Sequence, residues 1–287
     1  MQLILGPLSR SRGFFSTGLA VLLIALLTLI SQVGGVVLWL AYGLGETLAG
    51  RYRRSRGLLT MAAFIAVYSV ASFLLLPALA PAFGRIALNC FADSRHAYAA
   101  NSPLYCILNR HYVTPGTKEV LEALSDHMAR KHPGTVVSYL DGGFPLPLGI
   151  PLLPHLSHND GRKLDLAFFY KDKTSGKAMP KGGAWFVGYW AFAPAWDLLN
   201  TSPGSQRDGA LRWRMNWLQW LFADDELDRT RTADMVRFLT QGPASGQVQR
   251  LFLEPYLKPV LKLRSPKIGF AGWNAARHDD HLHFQVY

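Results

Sequence analysis

Two stretches of this chain carry no charge at all: Gly13 to Gly45 and Gly57 to Gly84, 33 and 28 residues long. About 20 apolar residues cross the hydrocarbon core of a bilayer, so each stretch is long enough to span it with its ends to spare. Two N-terminal membrane helices are therefore expected, over about residues 15–41 and 58–82. The first stretch runs from Leu19 to Leu27, passes Ser31, Gln32, Gly34 and Gly35, and resumes through Val36 to Leu40. A hairpin of two spans needs roughly twice 17 residues plus a turn, so one long tilted helix with a glycine-softened middle is the expectation. A cleaved signal peptide has an apolar region of about 7 to 15 residues, shorter than this one.

Between the stretches lies Arg51-Tyr52-Arg53-Arg54-Ser55-Arg56, four arginines in six residues. Cytoplasmic loops collect Lys and Arg, which puts this loop inside and everything after Phe83 outside. Arg10 and Arg12, ahead of the first stretch, pull weakly the other way, and a solvated charge run without topological meaning is the bland alternative. Cys90 and Cys106 both lie in the part placed outside. In an oxidising compartment they would form a disulfide worth about 3 kcal/mol, with two unpaired thiols as the other possibility.

The net charge of +11 would ordinarily suggest a nucleic-acid binder. Residues 1–85, however, hold seven basic residues and one acidic, so more than half of the excess belongs to the membrane flanks. Leu211-Arg212-Trp213-Arg214-Met215-Asn216-Trp217 mixes cations with aromatics as single-strand binders do. At helical spacing Trp213, Trp217 and Trp220 share one face, which reads as core or membrane-facing with the arginines solvated. No nucleic-acid partner is expected.

The chain divides into a membrane anchor (1–85), a linker with a possible disulfide (86–111) and a domain over 112–287. In that domain Lys118 to Lys131 reads as a helix capped by Thr117, with Val120, Leu121, Leu124 and Met128 on one face. Thr135–Leu140, Leu164–Tyr170 and His281–Tyr287 read as strands. Ala210–Ala223 and Thr232–Thr240 read as helices. Helices and strands do not alternate regularly, which gives an α+β fold: a small antiparallel sheet with flanking helices.

Five of the nine histidines fall in two clusters, His155-Leu156-Ser157-His158 and His278-Asp279-Asp280-His281-Leu282-His283. Imidazole and carboxylate are zinc ligands, and a catalytic site takes three protein ligands and keeps a fourth position open. His281 and His283, two apart on a strand, project to the same face. Both could bind metal, or one could bind while its neighbour handles protons. Gly161 lets the chain bend so that Asp165 returns beside His158. A carboxylate between Leu164 and Leu166 is costly to bury without a cation or hydrogen bonds, the alternative being an edge strand with Asp165 in solvent.

Ser157-His158-x-x-Gly161-x-x-x-Asp165-Leu166, with His281-x-His283 near the end, resembles the metallopeptidases typified by lysostaphin, the D-Ala-D-Ala peptidases and the hedgehog domain. The closest likeness is to the penicillin-insensitive murein endopeptidases. Their His-x-Ser-His and His-Asp-x-His-x-His blocks match the two clusters, and Val248 to Lys258 is a weaker third similarity. The likeness covers roughly residues 112–287 and is motif-deep. Arg162 and Lys163 depart from it, since relatives carry small residues there and generally lack membrane spans.

The resemblance implies a zinc ion held by His158, Asp165 and His283. It makes His281 the acid/base or transition-state residue beside the attacking water, with His155 and His278 as supporting groups. Some relatives place a Glu three residues before the last ligand, at Asp280 here, but Asp280 points away from the strand face that His281 and His283 share, which leaves it a role behind them or in solvent. The implied activity is a zinc peptidase, murein endopeptidase or carboxypeptidase-like, that hydrolyses an amide bond in peptidoglycan peptides. It would sit in a bacterial inner membrane with its catalytic domain periplasmic or otherwise outside the cytoplasm. A module that keeps the metal but only binds the cell wall or assists assembly is the alternative.

Overall fold

The structure, a computed structural model, describes residues 14–49, 56–153, 155–183, 185–191, 212–213, 215–222 and 224–287. Arg10, Arg12, Arg51, Arg53 and Arg54, which carry the charge argument for orientation, lie outside them, as does part of the expected helix Ala210–Ala223.

The first apolar stretch is not one helix. It forms α1 (Phe14–Ser31) and α2 (Gly34–Ala49), about 27 and 24 Å long at 1.5 Å per residue. Gln32 breaks it by taking a left-handed conformation, φ +66°. That conformation is held from outside the helix: the Gln32 amide donates to the Leu146 carbonyl at 2.7 Å and accepts from the Leu146 amide at 3.0 Å. Ser31 Oγ then accepts from the Gly34 amide and caps α2. The helices fold back on each other closely enough that a Cβ on Gly35 would collide with Thr28 and the Ile24 carbonyl.

The second stretch is continuous, as expected. α3 (Arg56–Val70) runs through one π-helical turn, Ala71–Leu75, into Leu76–Leu79 and a 3-10 turn ending at Phe83. The wide turn immediately precedes Pro77, whose ring would otherwise meet the carbonyl four residues back. Among the described residues, Arg56–Phe83 is the one helix long and apolar enough to cross a membrane, with a mean hydropathy of 2.2. Glu46 near the end of α2 pairs with Arg56 at the start of α3, so these two helices are antiparallel neighbours.

The remainder is α+β. Its main sheet has six strands in the order β2 (Tyr98–Ala100), β4 (Val137–Tyr139), β5 (Lys163–Ala167), β10 (His281–Val286), β8 (Val248–Phe252), β9 (Ile268–Gly269). It is mixed rather than antiparallel throughout: β4, β5, β10 and β8 pair antiparallel, while the outer pairs β2–β4 and β8–β9 are parallel. Two small sheets flank it, β1 (Ile86–Ala87) with β3 (Tyr112–Val113), and β6 (Tyr170–Asp172) with β7 (Asp225–Leu227). Residues 86–111, expected as a linker, thus supply two strands, the helical turn Pro103–Ile107 and the disulfide Cys90–Cys106.

α4 (Pro115–Lys131) packs across β2, β4 and β10, and α5 (Arg229–Gln241) packs against α4. Its cap is Thr114, not Thr117: Pro115 suits the first helical position, so the helix starts earlier, and Thr117 Oγ1 instead donates to the Gly161 carbonyl at 3.0 Å. Val120, Leu121, Leu124 and Met128 are fully buried and meet Leu164, Leu166, Leu282 and Phe284 in one core. Burying each side chain contributes about 1.5–3 kcal/mol. Because strand residues alternate, that choice of face for Leu282 and Phe284 sends His281 and His283 to the opposite face.

Candidate metal centre

β5 and β10 are paired so that Asp165 lies directly opposite His283. β5 sits between β4 and β10, an interior strand, and Asp165 is fully buried. His158 arrives on the 3-10 turn Leu156–Asp160, which stops at Gly161 in the left-handed region, φ +70°. A side chain at Gly161 would also strike the guanidinium of Arg85. Arg85, just beyond the long apolar helix, donates to the Asn159 and Asp160 carbonyls and pins the turn in place.

His158 Nδ1 donates to the Gly142 carbonyl at 2.7 Å, which turns Nε2 inward. That nitrogen lies 3.0 Å from His283 Nδ1 and 3.3 Å from Asp165 Oδ1, and His283 Nδ1 lies 2.9 Å from the same oxygen. An ion with bonds of about 2.0–2.1 Å in tetrahedral geometry separates its ligands by roughly 3.3 Å, so the triangle has nearly the size the ion needs. With His158 Nδ1 bonded to Gly142, the triangle brings together three atoms that can each act as acceptors, and Asp165, outweighing burial, raises the His158 pKa. A cation satisfies all three. Burial holds the His283 pKa down at about 4, keeping its ring neutral as a ligand must be.

His155, His158 and Asp165 also bring ligand atoms within 4.8 Å of one another. His155, however, faces the other carboxylate oxygen: its Nδ1 is 3.1 Å from Asp165 Oδ2 and 3.2 Å from Asp141 Oδ2. The shorter distances favour His283 over His155 as the third ligand.

His281 stands beside this triangle on the same strand face. Its Nδ1 is 2.5 Å from Asp280 Oδ1, and Asp280 is held by the Trp190 amide. Its Nε2 has no hydrogen-bond partner among the described residues and lies 3.8 Å from Asp165 Oδ2. Burial works against a charge on this ring, but Asp280 and Asp165 outweigh it and hold the pKa up at about 9. His278 packs its ring 4.8 Å from that of His281, and burial together with His281 and His283 pushes its pKa well down. Its backbone exchanges hydrogen bonds with Glu254, which accepts both guanidinium arms of Arg212 at 3.0 and 2.8 Å. Arg212 is therefore buried, not solvated, because a carboxylate at the end of β8 claims it.

Three residues were not legible in the sequence as part of this site. Asp141 is buried, accepts from Arg110 at 2.5 and 2.8 Å, and touches His155. Burial alone would raise its pKa, yet Arg110 and His155 hold the carboxyl well below the usual range. Tyr189 donates to Asp165 Oδ2 at 2.8 Å and lies 3.1 Å from Asp141 Oδ2, and burial and both carboxylates push its pKa far up, so it remains a donor. Asp141 merely follows the expected strand Thr135–Leu140, and neither Arg110 nor Tyr189 sits in a recognisable spacing.

The site lies between two concavities. One, of about 250 Å³, is lined by Tyr105, His155, Tyr189, Trp190 and His281. The other, of about 390 Å³, is lined by His155, Ser157, Phe252, Asn274, His278 and His283. No protein-family model and no curated protein matches this chain. The peptidase likeness therefore stands on the histidine blocks themselves.

Proposed function

We propose that the protein is a membrane-anchored zinc peptidase that hydrolyses an amide bond in peptidoglycan peptides. The observation that carries this reading is the arrangement of His158 Nε2, Asp165 Oδ1 and His283 Nδ1 within 3.3 Å of one another, with His281 beside them. Two imidazoles and one carboxylate suit zinc in composition and spacing. Bound there, the ion supplies Lewis acidity, which makes water nucleophilic near neutral pH and polarises a carbonyl.

The chain's own residues do the rest. His281 takes or gives a proton at Nε2, and Asp280 fixes its orientation through Nδ1. Tyr189 and His155 bind the Asp165 oxygen that faces away from the triangle, so the carboxylate presents Oδ1 inward. Asp141, neutralised by Arg110, holds His155. His278 closes the floor of the second concavity, and the two concavities hold the peptide on either side of the bond to be cut.

Attachment to the membrane is part of the proposal. α3 crosses the bilayer, and α1 and α2 lie beside it as a hairpin whose apex at Gln32 contacts the catalytic domain through Leu146. In this arrangement the Phe14 end of α1, the Ala49 end of α2 and Arg56 at the start of α3 sit on one side. The domain lies on the opposite side, outside the cytoplasm, where the Cys90–Cys106 bridge is stable.

Metal analysis of the purified full chain, paired with mass spectrometry of muropeptides incubated with it, tests the reading. About one zinc per chain and new cleavage products are expected, with both lost in His158→Ala, Asp165→Ala and His283→Ala. Full cleavage by a metal-free His283→Ala protein would refute it. A metal-loaded protein that yields no product would point to the wall-binding module instead.

A further inference from the structure

The 3-10 helix Asn216–Phe222 exposes its largest apolar side chains: Trp217 is 69% and Trp220 72% accessible, with Leu221 beside them. Tryptophan is seldom left so open on a soluble surface. The patch also connects to the apolar helices. Tyr68 of α3 donates to the Ile107 carbonyl at 2.7 Å, which seats the turn Pro103–Ile107 against that helix with Leu104 and Ile107 partly exposed. Tyr105 on the same turn donates to the Val187 carbonyl at 2.5 Å, next to exposed Phe186. The Trp185 ring bridges from there to Phe222, at 5.7 Å. Leu104, Leu108, Trp190 and Trp213 line the 250 Å³ cavity beside His281.

A chain of contacts through buried Tyr105 and Phe222 thus links α3 to the segment that ends in two exposed tryptophans, with Leu104, Ile107 and Phe186 exposed along it. Indole rings, apolar with one N–H donor, concentrate at the level of lipid headgroups. We propose that this aromatic ridge is a second membrane contact: Trp217, Trp220 and Leu221 lie in the headgroup layer of the bilayer that holds α3, and the cavity beside His281 opens at that level. The proposal rests on the membrane attachment inferred above, but not on the metal or the chemistry.

Both native cysteines are bridged, so a single introduced cysteine in the full chain can be labelled with an environment-sensitive fluorophore. Trp217→Cys, Trp220→Cys, Ile65→Cys in α3 and Ser175→Cys in the exposed turn after β6 are reconstituted in nanodiscs of phosphatidylethanolamine and phosphatidylglycerol. The lipids carry a nitroxide either near the headgroup or deep in the acyl chain. Labels at 217 and 220 should be quenched about twofold or more by the shallow nitroxide and less by the deep one, as expected for side chains buried roughly 5–10 Å into the interface. The label at 65 should respond most to the deep nitroxide, and the label at 175 to neither.

Quenching at 65 without quenching at 217 and 220 would overturn this inference and leave the membrane reading intact. Absence of quenching at 65 would overturn both. Protection of 217 and 220 from lipid nitroxide and from aqueous iodide alike would assign the ridge to a protein partner and refute the lipid contact.

Discussion

Asp141→Ala separates the scaffold of the site from its ligands. The Asp141 carboxylate is almost inaccessible and accepts two hydrogen bonds from Arg110, which also donates to the Leu153 carbonyl at 2.8 Å. Deleting the carboxylate leaves a guanidinium with most of its surface buried and without the acidic partner it has among the described residues. Breaking one side of a buried pair in this way costs about 3–5 kcal/mol, far more than the pair contributes relative to two apolar residues. For a domain of about 200 residues, each kcal/mol lowers the melting temperature by about 2–4 °C, so a fall of roughly 6–20 °C is expected. Thermal unfolding of the detergent-solubilised chain, followed by near-ultraviolet circular dichroism, measures it.

The double variant Asp141→Leu with Arg110→Met removes both charges and should recover most of the loss. Neither variant touches His158, Asp165 or His283, so both should bind zinc below their melting temperatures. Turnover should fall, because His155 loses an acceptor while Tyr189 still holds Asp165. A melting temperature for Asp141→Ala within about 3 °C of wild type would refute the reasoning, since it would mean Arg110 does not need this partner. So would a double variant less stable than the single one.

Other outcomes follow from the same geometry. His281→Gln should keep the metal and lose about 10²–10⁴-fold in kcat, while His155→Ala should also keep the metal, which metal analysis distinguishes from the three ligand variants. Cys90→Ser with Cys106→Ser opens a loop of 16 residues and should cost about 3 kcal/mol in denaturant unfolding. Burial holds the His111 pKa down at about 4, against 6.5 unfolded. The unfolded chain thus takes up this proton first, so the stabilisation is intact above pH 6.5 and is lost as pH falls towards 4, by up to about 3 kcal/mol. His111→Gln should flatten that part of the stability profile, and an unchanged profile would contradict the assignment.

Some features were visible in the sequence because they depend on local periodicity. His281-x-His283 shares a face in any extended strand, Gly161 supplies the bend before Asp165, and the apolar stripe of α4 follows from its spacing. Others depend on partners far along the chain. The left-handed turn at Gln32 exists because Leu146, more than a hundred residues away, binds its amide, and no pattern within the stretch from Gly13 to Gly45 specifies that contact. Arg212 reads as a solvated cation until Glu254 is seen beside it. Asp141, Arg110 and Tyr189 meet only because β4 lies next to β5 and the segment around Tyr189 folds over both.

The sequence by itself determined the kinds of parts: uncharged stretches long enough for a bilayer, two histidine blocks and an α+β remainder. Hydrophobicity and side-chain alternation are properties of neighbouring residues, so they can be read in order along the chain. Only the tertiary structure decided that the first stretch turns back on itself, that Asp165 faces His283 across one register pair, and that Asp141 and Tyr189 brace the site. Register and long-range pairing are set by which faces can be buried together, a choice the whole fold makes at once.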